Sequence, residues 1–190
     1  MDKLFKPENM HRLDSGERRK LVPPDAVLDL MEIHPGDTLL DAGAGIGYFA
    51  VPAARRVGPG GRVFAADISR KMLDELKKRA AESGVTVVPV LCDADRVPLP
   101  DATADRILLA FVLHEVDDGA AYLGEMRRLL KNDGALTIVE WDRVESPMGP
   151  PLSERIGRRE LDTMVESAGL EKTKEVQINE YQYACIVKKK

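Results

Sequence analysis

Short apolar runs alternate with amphipathic runs along most of this chain, and that alternation limits the folds it can adopt. The apolar runs have the length of buried strands, and the runs between them carry apolar residues at helical spacing. This order is typical of a parallel sheet with helices on both faces. The predicted strands are residues 37–42, 62–67, 85–93, 105–113 and 135–141, and the predicted helices are residues 47–57, 69–84 and 120–131.

The C-terminal part of the chain departs from this alternation. Its last two apolar runs are joined by only Asn179 and Glu180, which permits an antiparallel pair of strands but no crossover. We therefore predict a doubly wound, Rossmann-like α/β sheet of about seven strands, mostly parallel, with one antiparallel strand at the C-terminal end. The predicted elements here are a loop at 142–157, a helix at 158–169 and strands at 170–178 and 181–189.

Composition restricts the class of protein. At 190 residues and 44% hydrophobic content, the chain has the size of one well-cored domain. The apolar runs are too short for a membrane span and the N-terminus is too charged for a secretory signal, so a cytoplasmic location without membrane partners is expected. A net charge of −4 gives no overall attraction to nucleic acid. Cys92 and Cys185 supply neither a disulfide framework nor a four-ligand zinc site, and we predict no metal site.

A glycine-rich turn follows the first predicted strand, in the sequence DAGAGIG at 41–47. Gly43, Gly45 and Gly47 permit positive φ angles and a close approach of the backbone to a ligand. In open α/β sheets this place, at the carboxyl end of a parallel strand, is where nucleotide-like ligands bind. The turn therefore predicts such a site, and a tight turn without a ligand is the alternative interpretation.

Four motifs in sequence order resemble those of class I S-adenosylmethionine-dependent methyltransferases. They are DAGAGIG (41–47), AAD (65–67), CDADRVPLP (92–100) and LLKNDGALTIVEW (129–141). The stretch FVLHEV (111–116) adds a similarity to the small-molecule branch that includes the quinone-biosynthesis C-methyltransferases. The resemblance covers roughly residues 20–189, and it implies S-adenosylmethionine as the cofactor and a small organic molecule as the methyl acceptor.

Two acidic residues lie at sequence positions expected of residues that bind the cofactor. The resemblance implies that Asp41 binds the amino group of the cofactor. Asp67 follows Gly47 by 20 residues (67 − 47), the spacing at which an acid accepts both ribose hydroxyls. A cap of the following helix is the alternative role for Asp67.

The resemblance also implies an adenine site. It places Asp93 at the adenine amino group and the Ala94 amide at a ring nitrogen, while Ile68 and Met72 cover the ring faces. Phe111, directly after the fourth predicted strand, completes the predicted set of cofactor-binding residues. For Asp93, the start of a local turn is the alternative interpretation.

An NAD(P)-dependent oxidoreductase is the main alternative function, because Gly45, Gly47 and Ala50 also satisfy the dinucleotide fingerprint. The carboxylate of Asp41 argues against it, since it would repel a pyrophosphate bound at the turn. A non-catalytic protein that binds S-adenosylmethionine as a sensor or subunit is a further alternative that the sequence leaves open.

The segments outside the sheet bear on the acceptor. The base-flipping motif of nucleic-acid amino methyltransferases is missing after the fourth strand, so we expect a small acceptor and no nucleic acid. His114 is the candidate catalytic base, and a helix cap or packing under the cofactor is the alternative. Arg18 is interpreted as part of a solvated face, with an acidic acceptor as the alternative.

The oligomeric state stays unknown. The predicted divisions of the single domain, residues 1–190, are a helical cover at 1–34, a cofactor-binding core at 35–141, a loop over the acceptor pocket at 142–157 and a closing helix and hairpin at 158–190.

Overall fold

The fold is a seven-stranded sheet with helices on both faces, in a computed structural model that describes residues 7–190. The first six residues of the predicted cover lie outside the described residues. The strands are β1 Thr38–Ala42, β2 Arg62–Asp67, β3 Val88–Leu91, β4 Ala104–Ala110, β5 Leu130–Trp141, β6 Leu170–Asn179 and β7 Gln182–Lys189. The α-helices are α1 Gly16–Leu21, α2 Pro24–Leu30, α3 Ala50–Val57, α4 Arg70–Glu82, α5 Gly119–Leu129 and α6 Arg158–Ser167, and the 3-10 helices are Pro7–Asp14, Leu113–Glu115 and Leu152–Glu154.

The strand order confirms the predicted fold class. It is β3-β2-β1-β4-β5-β7-β6, with parallel pairing from β3 through β5. Only β7 is reversed, because it pairs antiparallel with both β5 and β6. Strand β3 contains Pro89 and lies at the edge of the sheet, where a missing amide donor is tolerated.

Several element boundaries differ from the prediction. Helix α3 begins at Ala50 instead of residue 47, so Pro52 lies in the first turn, where helical amides have no partner within the helix. Strand β4 ends at Ala110 because Phe111 takes a left-handed φ of 60°. The predicted turn at 132–134 is a bulge within β5, opposite the register shift between Ala104 and Arg106.

The core has two layers, one on each face of the sheet. Helices α5 and α6 cover one face, with Leu123 and Leu161 fully buried against it. Helices α2, α3 and α4 cover the other face, through residues such as Leu28 and Leu76. Because β1, β2, β4 and β5 are parallel, their carboxyl ends meet at one edge of the sheet, where the loops at 43–49, 68–69 and 111–118 lie close together. None of the helices within residues 7–190 combines the length and apolar content needed to cross a bilayer.

Candidate functional site

The glycine turn after β1 has a backbone that only glycine can adopt without collision. The φ angles of Gly43, Gly45 and Gly47 are 76°, 52° and 80°, all in the left-handed region. A side chain at Gly43 would collide with Val112, and one at Gly47 would come within 2.9 Å of Leu76. The turn therefore presents bare backbone at the carboxyl edge of the sheet, as the sequence predicted.

Asp41 is a buried acid with one carboxylate oxygen left without a partner. Its residue is 2% exposed, and its Oδ2 atom has no hydrogen-bond donor in the described structure. Burial raises the pKa of Asp41 to about 7, although a backbone hydrogen bond from Ala50 acts in the opposite direction; the charge of Asp67 adds to the increase. A buried carboxylate oxygen that lacks a hydrogen-bond donor favours the binding of a ligand with a cationic N–H group.

Asp67 links the glycine turn to the start of α4. Its Oδ2 accepts a hydrogen bond from the Gly45 amide and its Oδ1 accepts one from the Ser69 amide, each at 2.8 Å. Burial raises the pKa of Asp67, and both of these hydrogen bonds act to lower it. The cap of α4 is Ser69, whose hydroxyl accepts from the Met72 amide at 3.4 Å. Asp67 thus supports the cap from one side, and each of its oxygens retains a lone pair for a ligand hydroxyl.

A cavity of about 350 Å³ lies beside the ends of β2 and β3 and brings Ile68 and Asp93 together. Its other lining residues are Leu91, Cys92, Arg96 and Pro98. Ile68 is 42% exposed, so its side chain is accessible from the cavity. Met72 is buried and does not line the cavity, and Ala94 is exposed beside it. The adenine-site roles of all four predicted residues stay predictions.

Arg18 lies against two aromatic rings instead of forming a solvated face. Its guanidinium carbon is 4.7 Å from the centre of the Tyr48 ring and 5.4 Å from that of Phe111. Burial lowers the pKa of Arg18, whereas the charges of Tyr48, Asp14 and Asp41 act in the opposite direction. Within residues 7–190 this guanidinium has no ion-pair partner. The predicted cofactor residue Phe111 also packs against Trp141, with 5.6 Å between the ring centres.

The N-terminal helices lie directly against the glycine turn. The side chain of Leu13 is 3.2 Å from the place where a Gly45 side chain would begin. The Tyr48 hydroxyl donates a 2.7 Å hydrogen bond to the carbonyl of Val22. Tyr48 and Arg18 therefore hold this helical segment over the same edge of the sheet to which Asp41 belongs.

His114 forms a buried pair with Glu140 beside the turn. Its Nδ1 atom is 2.8 Å from Glu140 Oε2, and the two side chains are 8% and 0% exposed. Burial alone lowers the pKa of His114, but the hydrogen bond and charge of Glu140 raise it, together with the charges of Glu115 and Glu154, and these effects prevail. His114, the candidate base, is thus buried, and it does not cap a helix.

The loop at 142–157 is organised by one buried arginine. Arg155 is 4% exposed and uses all five of its N–H donors on this loop. Its guanidinium also lies 5.3 Å from the centre of the Trp141 ring. The acceptors are the carbonyls of Asp142, Val144, Met148 and Pro150 and the hydroxyl of Ser146, at 2.6–3.3 Å.

Sequence reasoning did not include Glu140 or Arg155 in the site. For Glu140 a signal was present, because this acid interrupts the apolar run ALTIVEW at 135–141. A charged residue inside a buried strand requires a partner. For Arg155 the sequence contains no comparable signal, since four of its five acceptors are backbone carbonyls.

Comparison with known proteins places the chain in a family. A solved structure described as a SAM-dependent methyltransferase from Aquifex aeolicus is 30% identical, with a TM-score of 0.91, and covers 97% of this chain and 98% of that one. A family model described as a methyltransferase domain matches residues 40–138. The chain belongs to the class I S-adenosylmethionine-dependent methyltransferases. The recognised family, the fold and the cofactor agree with the predictions, and the oxidoreductase alternative is not favoured.

Curated relatives of this methyltransferase include quinone-biosynthesis enzymes. The ubiquinone/menaquinone biosynthesis C-methyltransferase UbiE of Bordetella parapertussis is 38% identical over 118 residues, which are 62% of this chain and 46% of that protein. The chain therefore spans about half the length of the curated relatives it matches. The [4+2]-cyclase SpnF shares the fold at a TM-score of 0.76 and 19% identity, covering 87% of this chain and 79% of that one. Fold alone thus does not establish which reaction is catalysed.

Proposed function

We propose that this methyltransferase transfers a methyl group from S-adenosylmethionine to a small organic acceptor. The observation that carries the proposal is the pair of unsatisfied charges at the glycine turn. Among residues 7–190, the buried Oδ2 of Asp41 has no hydrogen-bond donor and the guanidinium of Arg18 has no carboxylate partner. The amino-acid end of the cofactor carries one ammonium and one carboxylate, so it complements both groups at once.

The other cofactor contacts follow from the same geometry. Asp67 would accept from the ribose hydroxyls, since it ends β2 beside the turn and its oxygens retain lone pairs. The cavity with Ile68 and Asp93 has the size for an adenine ring, and the amide of Ala94, the next residue in the chain, would donate to a ring nitrogen. Met72 lies buried within α4 and outside the lining of this cavity, so Ile68 is the predicted ring contact that the geometry supports.

The reaction requires alignment and a shielded site. When bound, S-adenosylmethionine supplies a methyl group on a positively charged sulfur; a bond forms from the acceptor atom to the methyl carbon and the methyl–sulfur bond breaks. Phe111 and Trp141 offer apolar ring faces at the carboxyl edge of β4 and β5. The helical cover and the loop at 142–157 would exclude water from that region. His114 would accept the proton that the acceptor loses.

A small acceptor fits these segments better than nucleic acid. The curated relatives are named as quinone-biosynthesis C-methyltransferases, which supports a phenol-like acceptor. The chain is acidic overall, so it gives no general attraction to a phosphate backbone. We also propose that the domain has the four divisions predicted from the sequence and that the protein is cytoplasmic.

The test is a screen for methyl transfer from radiolabelled S-adenosylmethionine. The acceptors are phenols, quinol precursors, small amines, thiols and total RNA, and calorimetry with the cofactor and with NAD runs in parallel. We expect label in a small acceptor and binding of S-adenosylmethionine only. Label in RNA alone would refute the small acceptor, and cofactor binding without transfer to any acceptor would favour the sensor alternative.

A further inference from the structure

We propose that Glu140 is a positioning residue, which holds His114 with its proton on Nδ1 and leaves Nε2 as the atom that accepts a proton from the methyl acceptor. This inference rests on the proposed function and deepens it. His114 is the candidate base of that function, and Glu140 is the residue to which a role is newly assigned.

Glu140 is surrounded by N–H donors that fix its carboxylate. Besides the 2.8 Å contact with His114 Nδ1, it accepts from the backbone amides of His114 and Trp141, both at 3.3 Å. The residue is fully buried near the end of β5. An acid held by two amides in a dry environment is a fixed acceptor, so the imidazole must donate to it through Nδ1. The lone pair of neutral His114 is then on Nε2.

The place of His114 connects the cofactor turn with the acceptor loop. Its segment begins with Phe111 and includes Val112, the side chain that lies against Gly43. The 3-10 helix Leu152–Glu154 brings Glu154 close enough to raise the pKa of His114. The Nε2 atom lies 4.0 Å from Glu115 Oε1, on the side of the ring away from Glu140. Glu140, Glu115 and Glu154 are thus the charged groups that face this imidazole.

Proton balance indicates which acceptors need this pair. Methylation of a phenol oxygen or an acidic carbon releases one proton as the new bond to the methyl carbon forms. Neutral Nε2 takes that proton, and Glu140, in contact with Nδ1, stabilises the resulting imidazolium. A sulfide or a tertiary amine releases no proton on methylation and gains nothing from a base. The proton balance therefore favours an acceptor that loses a proton, such as one with an ionisable O–H or C–H group, over a sulfide or a tertiary amine.

The first test needs no acceptor. Nitrogen NMR of the histidine ring in the wild-type protein, first without cofactor and then with it, reports the tautomer of His114 directly, with His114→Gln to assign its signals. We expect the Nδ1–H tautomer above the pKa of His114, and that pKa above the ordinary value near 6.5. An Nε2–H tautomer would overturn the proposal whatever the reaction is.

The second test separates positioning from general stability. Glu140→Gln should lower kcat by about tenfold or more and move the rising limb of the pH profile to lower pH, with cofactor affinity unchanged. Glu140→Asp should recover part of the loss, and Glu166→Gln, an exposed acid on α6, is the matched control. An unchanged pH profile in folded Glu140→Gln would refute the positioning role. Loss of cofactor binding in the wild type would instead refute the proposed function, since the NMR result does not depend on turnover.

Discussion

The carboxylate of Asp67 accepts a 2.8 Å hydrogen bond from the amide of Gly45, which lies 22 residues earlier in the chain. Its other oxygen accepts from Ser69 at the start of α4. One side chain therefore joins the ends of β1 and β2 and the beginning of α4, before any ligand is considered. This double role determines what replacement of Asp67 is expected to do.

Asp67→Ala should weaken both the fold and the cofactor site. Loss of a charged acceptor leaves two backbone amides unpaired, so we expect the free energy of unfolding to fall by about 1–3 kcal/mol. Cofactor affinity should fall by a further 1–3 kcal/mol or so, because the ribose hydroxyls lose their acceptor. Calorimetry and chemical denaturation measure the two effects. Asp95→Ala, an exposed acid in the loop after β3, is the control; unchanged affinity in folded Asp67→Ala would leave Asp67 a purely structural role.

Cofactor binding should release a proton from Asp41. The pKa of this acid is raised to about 7 in the free protein, so at pH 6 it is mostly protonated. A cationic amino group beside it lowers that pKa, and up to about one proton is released on binding at pH 6. Calorimetry in buffers of different ionisation enthalpy measures the proton count. Asp41→Asn should abolish the release, and proton uptake by the wild type would contradict the proposed contact.

The same raised pKa predicts how stability depends on pH without the cofactor. Folded Asp41 retains its proton up to about pH 7, whereas in the unfolded chain it loses the proton near its ordinary value of 3.8. Between these two values the folded state binds more protons, so the free energy of unfolding decreases as pH rises. The contribution over this window is about 4 kcal/mol. Asp41→Asn lacks this decrease, so the stabilities of wild type and Asp41→Asn should diverge as pH rises from about 4 towards 7; parallel pH dependences would show that Asp41 titrates normally.

Arg18→Gln should weaken cofactor binding more than it weakens the fold. The guanidinium rests on the Tyr48 and Phe111 rings and has no carboxylate partner among the described residues. We expect about a tenfold to hundredfold loss of affinity, as for removal of a charge-assisted hydrogen bond. Lys20→Gln, an exposed residue of the same helix, is the control. Equal affinity for S-adenosylmethionine in wild type and Arg18→Gln would exclude the contact with the carboxylate.

Arg155→Leu should release the loop at 142–157 and leave the cofactor site intact. The substitution removes five hydrogen bonds to the loop while keeping an apolar side chain beside Trp141. We expect faster limited proteolysis within this loop and unchanged cofactor affinity. Arg159→Leu, an exposed neighbour on α6, is the comparison. Equal cleavage rates in the two variants would mean that the loop is held by other contacts.

The fold was predictable from sequence because its signals are local. The short connection at Asn179 and Glu180 indicated the reversed strand, and Pro89 indicated an edge strand. The glycines at 43–47 indicated a turn with left-handed backbone, which the φ angles confirm. Each of these inferences depends on backbone geometry within a few residues, where residue type and conformation are closely coupled.

The side chains around the candidate site were less predictable, because they depend on contacts between distant parts of the chain. Arg18 was interpreted as solvated, yet it lies on rings contributed by Tyr48 and Phe111. The pairing of His114 with Glu140 joins residues 26 positions apart, which no local periodicity encodes. Charged side chains are usually exposed on the protein surface. The periodicity of the sequence therefore does not show which of them tertiary packing buries.

The hydrogen bond from Asn179 Nδ2 to the carbonyl of Leu21 fastens the helical cover to the far end of the chain, at 2.7 Å across 158 positions. A ribosome releases the N-terminal segments first, so β1, β2 and β4 are available to fold before residue 179 has been made. Until then α1 lacks this tether. The contacts of this segment with Tyr48 and Phe111 need no residue of the final hairpin, so the fastening to Asn179 is the last of its attachments to become possible during synthesis.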